Sequence, residues 1–295
     1  MLVLTVGNSY VDIDGYASCI AYRELLKMRG EEAMFVTDAL FNYSITNSLL
    51  ESSYIKDDYT VSEEDTFIVL DLSNKEYFPR FVKEEKIVEL IDHHRGFEEY
   101  WNSKLGDRAI IESIGAVATI IVEKYEQYNL FQKMDKKIAL LLMAAILDNT
   151  LNFTADITSD RDIRAYKRLQ ELTGEIDYAD IYFKESQEAI LNNIEEAIVN
   201  DIKYQKENDK LPRIIGQLTI WDINDLNHSI IRQIMNNKGS NWIINIISLK
   251  DNISYIMCSS YTIEKDMMIL FNGEQKKGFV VLKPAKLRKE IMVMK

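Results

Sequence analysis

Proline, glycine, cysteine and histidine are scarce in this chain, and basic residues are outnumbered. Three prolines and 11 glycines in 295 residues leave neither a Gly/Pro period nor a breaker-rich tract, which excludes fibrous and low-complexity classes. Two cysteines, Cys19 and Cys258, lie far apart in apolar segments, so they read as buried free thiols of a reducing compartment rather than a redox pair. Lys and Arg number 35 against 47 Asp and Glu, a formal charge of −12 that disfavours adhesion to nucleic acid or an anionic membrane. Small phosphates stay within reach, because a metal ion or a few focused cations reverse the sign locally. Apolar runs such as Ile138–Leu147 stop well short of the ~20 residues of a membrane span. The start, MLVLTVGNSYVDIDG, has no basic n-region and no signal-type apolar run, so a cytoplasmic protein is expected.

What is present is an ordered globular chain, 47% hydrophobic and 28% charged, long enough for one large or two moderate domains. Short apolar runs at Leu2–Val6, Met34–Val36, Thr66–Leu70 and Ile87–Ile91 alternate with helical stretches, the pattern of a mostly parallel, doubly wound α/β sheet covered on both faces. Further helices are expected over Gly115–Lys124, Lys136–Leu147 and Arg161–Leu172. A polar connecting helix is expected over Tyr182–Asn208, turning near Asp209 and Pro212. The texture then changes to strands at Ile214–Ile220, Trp242–Leu249, Ile253–Cys258, Met267–Phe271 and Phe279–Leu282, a tight turn at Lys250-Asp251-Asn252 and a helix over Asp225–Met235. Two α/β domains follow, residues 1–185 and a smaller one of mixed sheet at 186–295, with the active site expected in the cleft between them.

Acidic residues stand where the strands of the first domain end. Asp12 and Asp14 follow the first strand, Asp71 the third, Asp92-His93-His94 the fourth, and Asp148 closes a helix. Open α/β sheets bind ligands beyond their carboxyl ends, because loops there deliver side chains from several elements to one crevice. Asp12 and Asp14, two apart, would face one side of an extended stretch, and Gly15 would permit a tight entry into the next helix. Two of only three histidines are adjacent beside an aspartate; imidazole with carboxylate suits a transition metal better than Mg²⁺ alone. Two ions ~3.5–4 Å apart need a bridging carboxylate and several further ligands, which this set supplies.

Taken together, these residues resemble the DHH phosphoesterase superfamily, whose triplet is Asp92-His93-His94 here. They are similar in particular to the branch with a DHHA2-type C-terminal domain: manganese-dependent family II inorganic pyrophosphatases, short exopolyphosphatases and prune-like proteins. The motifs are Gly7-Asn8-Ser9-Tyr10-Val11-Asp12-Ile13-Asp14-Gly15, Leu70-Asp71, Ile91-Asp92-His93-His94-Arg95 and Asp148-Asn149-Thr150-Leu151-Asn152-Phe153, with Glu112–Thr119 between the last two. Lys184, Asp201-Ile202-Lys203 and Leu287-Arg288-Lys289 extend the match into the second domain. The resemblance implies Asp12, Asp14, Asp71, His93 and Asp148 as ligands of two Mn²⁺ ions, Asp71 and Asp148 bridging, with Mg²⁺ or Co²⁺ as substitutes. It puts His94 beside the substrate and Lys184, Arg288 and Lys289 on the terminal phosphate. It also implies a homodimer and a small phosphate-anhydride substrate, while the charge balance and the short apolar runs speak for neither a membrane nor a stable nucleic-acid partner.

Two departures bear on the substrate. Asn8 stands where the pyrophosphatases carry a histidine ligand, and the second motif reads Asp71-Leu72-Ser73 instead of Asp-His. An amide oxygen binds metal more weakly than imidazole, and the Gly-Asn opening resembles the exopolyphosphatase and prune-like members. The expectation is hydrolysis of pyrophosphate or short linear polyphosphate. The alternatives are a phosphodiesterase for short oligonucleotides or cyclic dinucleotides, towards which Gly15 points, and a low-turnover regulatory binding protein.

Overall fold

A computed structural model of the chain describes residues 1–8, 10–50, 59–205 and 210–293. Ser9 of the first motif, the turn expected near Asp209 and the side chain of Lys289 lie outside the described residues. The chain divides into two compact units, Met1–Phe153 with Ile157–Ala179, and Thr154–Asp156 with Asp180–Lys295.

The first unit runs β1 (Leu2–Thr5), β2 (Tyr10–Val11), α1 (Ile13–Met28), β3 (Ala33–Phe35), β4 (Leu40–Phe41), β5 (Thr66–Leu70), β6 (Ile87–Asp92), α2 (Glu98–Leu105), β7 (Ala109–Ile111), α3 (Val117–Gln127), α4 (Lys136–Asn149) and α5 (Asp160–Thr173). Its five-stranded sheet has the order β3-β1-β5-β6-β7 and every pairing is parallel, with β2 and β4 forming a separate small pair. The strands are apolar on both faces: Val3, Phe67, Val69 and Leu90 gather around the fully buried Trp101 of α2, and Leu4, Ile68, Leu70 and Ile91 are buried as well. Helix α4 is apolar all round because α1 and α5 both pack against it. From β1 the chain steps outward to β3 and then returns to β5 on the other side of β1. That reversal opens a crevice at the carboxyl ends of β1 and β5.

The second unit takes in all but the first two residues of α6 (Tyr178–Asn192), then α7 (Ile194–Asn200), β8 (Lys203–Tyr204), β9 (Ile214–Ile220), α8 (His228–Lys238), β10 (Trp242–Ser248), β11 (Ile253–Cys258), α9 (Tyr261–Phe271), β12 (Glu274–Lys276), β13 (Phe279–Leu282) and α10 (Arg288–Val293). Its six-stranded sheet, β12-β13-β11-β10-β9-β8, is mixed: β9 and β10 are parallel and the other pairs antiparallel. The hairpin between β10 and β11 turns through Asn252 at φ 53°, as the Lys250-Asp251-Asn252 signal requires.

Three expectations are corrected. Met267–Phe271 is not a strand but the second half of α9: Ser260 caps the helix by accepting from the Ile263 amide, and Met267 and Phe271 enter the core one turn apart. The polar helix expected from Tyr182 to Asn208 is broken at Asn193, whose φ of −135° leaves the helical region, so α6 and α7 are separate; α7 ends at Asn200 and Lys203–Tyr204 pairs with β9 as strand β8, while 206–208 lie outside the described residues. The helix expected over Asp225–Met235 begins later, at His228, where Asn227 caps the Ser229 and Ile230 amides, and it runs on to Lys238. Both cysteines are buried and free; burial pushes the Cys258 thiol up to about 12.

Candidate metal centre

Asp12 and Asp14 do not share an extended stretch, which is a further correction. Asp12 is the N-cap of α1, its carboxylate accepting from the Gly15 amide at 3.0 Å, so Asp14 already sits in the first helical turn. Asp14 is fully buried and its two oxygens accept from the Val117 and Ala118 amides, 2.8 and 2.9 Å away, at the N-terminus of α3. Burial pushes the Asp14 carboxyl well above its ordinary range and the Asp71 carboxylate raises it further, while His93 opposes. Gly15 allows the close approach: a Cβ there would lie 3.0 Å from Val6 Cγ1 and 3.5 Å from Asp71 Oδ2.

At the end of β5, Asp71 bends the chain through a left-handed conformation, φ 57°, that aspartate tolerates better than most side chains. His93 Nε2 lies 3.3 Å and His94 Nδ1 3.8 Å from Asp71 Oδ1. His93 is buried, and its Nδ1 is 3.1 Å from the Ile114 carbonyl. A carbonyl only accepts, so in the neutral ring Nδ1 carries the proton and Nε2 keeps its lone pair toward Asp71. The half-exposed His94 is held differently, Nδ1 to Asp92 Oδ1 at 2.8 Å. The same Asp92 oxygen takes the His93 and His94 amides at 2.7 and 3.1 Å. Burial alone would raise the Asp92 carboxyl; the His94 hydrogen bond and the two imidazoles pull it below its usual value.

Asp71, His93 and His94 each offer a ligand atom, all within 4.8 Å of one another. Asp71 Oδ1 and His93 Nε2, with the buried Asp14 carboxyl close enough to Asp71 to be raised by it and the His94 imidazole alongside, form a donor set that suits a divalent transition metal. Asn8 is exposed; its backbone amide donates to Tyr77 and its side-chain amide to the Phe78 carbonyl, which leaves Oδ1 as its acceptor atom. Asp148 occupies the last turn of α4, half-buried, just ahead of Leu151, Asn152 and Phe153, three consecutive residues at positive φ. In the second motif, Ser73 is buried; its carbonyl takes the Trp101 indole N–H at 2.7 Å and its hydroxyl donates to the His94 carbonyl.

The cations of the second unit are placed unequally. Arg288 is buried, donating to the Asp201 carbonyl and pairing with Asp201 Oδ1 at 2.5 Å, with its amide on Gln217. Lys184 is exposed and lies 3.3 Å from Asp180 one turn earlier. Sequence reasoning overlooked the holders of the site: Asp92, quoted only as part of a triplet, and the backbone groups of Ile114, Val117 and Ala118. An aspartate directly preceding two histidines was the available signal for the first; a backbone carbonyl carries none.

A parallel sheet that presents carboxylates and paired histidines beyond the carboxyl ends of neighbouring strands defines an α/β protein with a candidate metal centre. Residues 2–146 match the DHH family, N-terminal domain, so the chain carries a domain of that family. The manganese-dependent inorganic pyrophosphatase of Bacillus subtilis (strain 168) is 30% identical over 176 residues, 58% of this chain and 55% of that one, so the match spans about half the length of that relative. A probable manganese-dependent inorganic pyrophosphatase of an Exiguobacterium species is 29% identical over 238 residues, 76% of this chain and 72% of its own. A Methanococcus jannaschii protein assigned to the family II inorganic pyrophosphatases has a crystal structure alike at a TM-score of 0.71 and 19% identity, covering 100% of this chain and 98% of its own. An exopolyphosphatase-related protein from Bacteroides fragilis gives 0.56 at 13%, over 99% and 89%. These two likenesses concern the fold.

Proposed function

We propose that the protein hydrolyses pyrophosphate, or a short linear polyphosphate, with two manganese ions held by Asp12, Asp14, Asp71, His93 and Asp148 and with Asn8 in place of an imidazole ligand. The observation that carries this reading is the convergence of Asp71, His93 and His94 at the carboxyl ends of β5 and β6 within a DHH-family domain. When bound, manganese supplies Lewis acidity toward phosphoryl oxygens and a lowered pKa for water. The chain's own groups do the rest. The Ile114 carbonyl holds His93 with Nε2 available as a ligand, and the α3 amides hold Asp14. Asp92 fixes the proton of His94 on Nδ1, so His94 Nε2 is the atom that meets substrate. Lys184, Arg288 and Lys289 take up charge on the departing phosphate, a role that needs cations and no base-stacking surface.

Similarity to proteins named manganese-dependent pyrophosphatases favours the metal and the anhydride substrate. No helix among the described residues is long and apolar enough to cross a membrane; residence in the cytoplasm and assembly as a homodimer belong to the proposal. The test is phosphate release by the manganese-loaded protein from pyrophosphate, tripolyphosphate and a dinucleotide, together with bound-metal stoichiometry. Fast release from either anhydride and none from the dinucleotide is the expected result. Cleavage of the dinucleotide alone would assign a phosphodiesterase, and two bound ions without turnover a binding protein.

A further inference from the structure

Asp162, outside every motif of the resemblance, is a fully buried carboxylate on which several donors converge. Oδ2 accepts from the Ser159 amide at 2.8 Å, the Ser159 hydroxyl at 2.7 Å and the Gly115 amide at 3.0 Å, while Oδ1 accepts from the Thr119 hydroxyl at 2.7 Å. The Ser159 contacts are the capping box of α5 and need no more than a local, solvent-facing carboxylate. The contacts to Gly115 and Thr119 are long-range and bracket the segment from the Ile114–Gly115 peptide group to Thr119. A buried carboxylate without an ion pair among the described residues is costly unless its hydrogen bonds are saturated, and saturation makes it rigid.

That bracketed segment holds two of the proposed ligands. The Ile114 carbonyl orients the His93 ring, and the Val117 and Ala118 amides hold Asp14. Gly115 has no slack against its anchor, since a Cβ there would fall 2.8 Å from Asp162 Oδ2 and 2.6 Å from Thr150 Cγ2. Arg161, next to Asp162, is turned away to Glu112 and Glu123, so its charge goes elsewhere.

We infer that Asp162 is a positioning residue of the metal centre: through Gly115 and Thr119 it sets the backbone that aims His93 Nε2 and Asp14. This rests on the reading of His93 and Asp14 as manganese ligands. Groups that orient metal ligands typically contribute 10–100-fold in affinity, so Asp162→Asn raises the manganese dissociation constant about tenfold or more. Thr119→Val, which removes one of the two anchors, raises it by a smaller factor.

The experiment titrates manganese into the full chain, reads free Mn²⁺ by its electron paramagnetic resonance signal, and records thermal unfolding of each variant without metal. His93→Ala tests the centre itself. Leu169→Ala opens a cavity in the buried face of the same helix, two turns along from Asp162, leaves the hydrogen bonds of Asp162 chemically intact and controls for lost stability. The expected result is weaker binding in Asp162→Asn and Thr119→Val than in Leu169→Ala at equal or greater loss of melting temperature in the control. If both polar variants bind as the parent does, or no worse than Leu169→Ala, while His93→Ala loses the metal, the inference is overturned and the centre stands. If His93→Ala binds like the parent, the reading of the centre fails and the inference falls with it. Should Asp162→Asn not fold, Thr119→Val against Leu169→Ala decides.

Discussion

Gly115→Ala is the sharpest steric test of how the centre is supported. The added methyl would lie 2.6 Å from Thr150 Cγ2 and 2.8 Å from Asp162 Oδ2, against an ordinary carbon contact of roughly 3.5–4 Å, so each neighbour has to retreat by about 1 Å. Neither is free to do so. Thr150 is fully buried, with its hydroxyl on the Ile146 carbonyl at 2.6 Å, and Asp162 is held by Ser159 and Thr119. Overpacking of this kind costs about 1–3 kcal/mol. Parting Asp162 from the Gly115 amide, a bond to a charged group, adds roughly 1.5–3 kcal/mol. The combined loss of about 3–5 kcal/mol lowers the melting temperature by roughly 10 °C, at some 2–4 °C per kcal/mol for a domain of this size. Gly174→Ala is the comparison: that glycine ends α5 at φ 74° with nothing within 4 Å of a Cβ, and its cost is the left-handed penalty of roughly 1–2 kcal/mol. Differential scanning calorimetry of the three metal-free proteins measures both. A Gly115→Ala transition no lower than that of Gly174→Ala would refute the packing reasoning.

Asn8→His replaces a weak amide donor by imidazole and lowers the manganese concentration at half-maximal rate, several-fold or more; an unchanged midpoint would remove Asn8 from the ligand set. Arg288→Ala strips the guanidinium from Asp201, whose side chain is 18% exposed, and costs the second unit about 3 kcal/mol. Urea unfolding followed by tryptophan fluorescence checks this, Trp221 and Trp242 reporting on that unit, and an unmoved midpoint would show that the pair contributes nothing. Asp65 accepts from the Ser62 amide, the amino terminus and the Tyr59 hydroxyl, which lower its carboxyl to about 2. A folded pKa depressed below the unfolded value of about 3.9 stabilises above that value and loses its effect as pH falls toward 2. The melting-temperature gap between the parent and Asp65→Asn is therefore full at pH 6 and closes between about pH 4 and pH 2; a gap constant over that range would contradict the assignment.

Parallel strands buried on both faces are unbroken apolar runs, so β1, β5 and β6 were legible as sequence, and with them the order in which Asp12, Asp71 and His93 reach the strand ends. The paired histidines after an aspartate stood out for the same local reason, and the fold brings both within reach of Asp71. Short apolar runs carried less: Met267–Phe271 suits a strand or a helix by composition, and only the Ser260 cap and packing against Ile215, Ile243 and Val280 made it helical. What the tertiary structure alone decided are the contacts between residues distant in the chain. Asp14 meets the α3 amides 103 and 104 positions away, Asp162 meets Gly115 47 positions away, and Arg288 finds Asp201 at a separation of 87. Side-chain chemistry and strand ends are written locally, so the sequence by itself determined which side chains stand at the strand ends as candidates for the chemistry. Backbone donors and carbonyls are the same at every residue, so only the folded chain could decide which of them hold those groups in place.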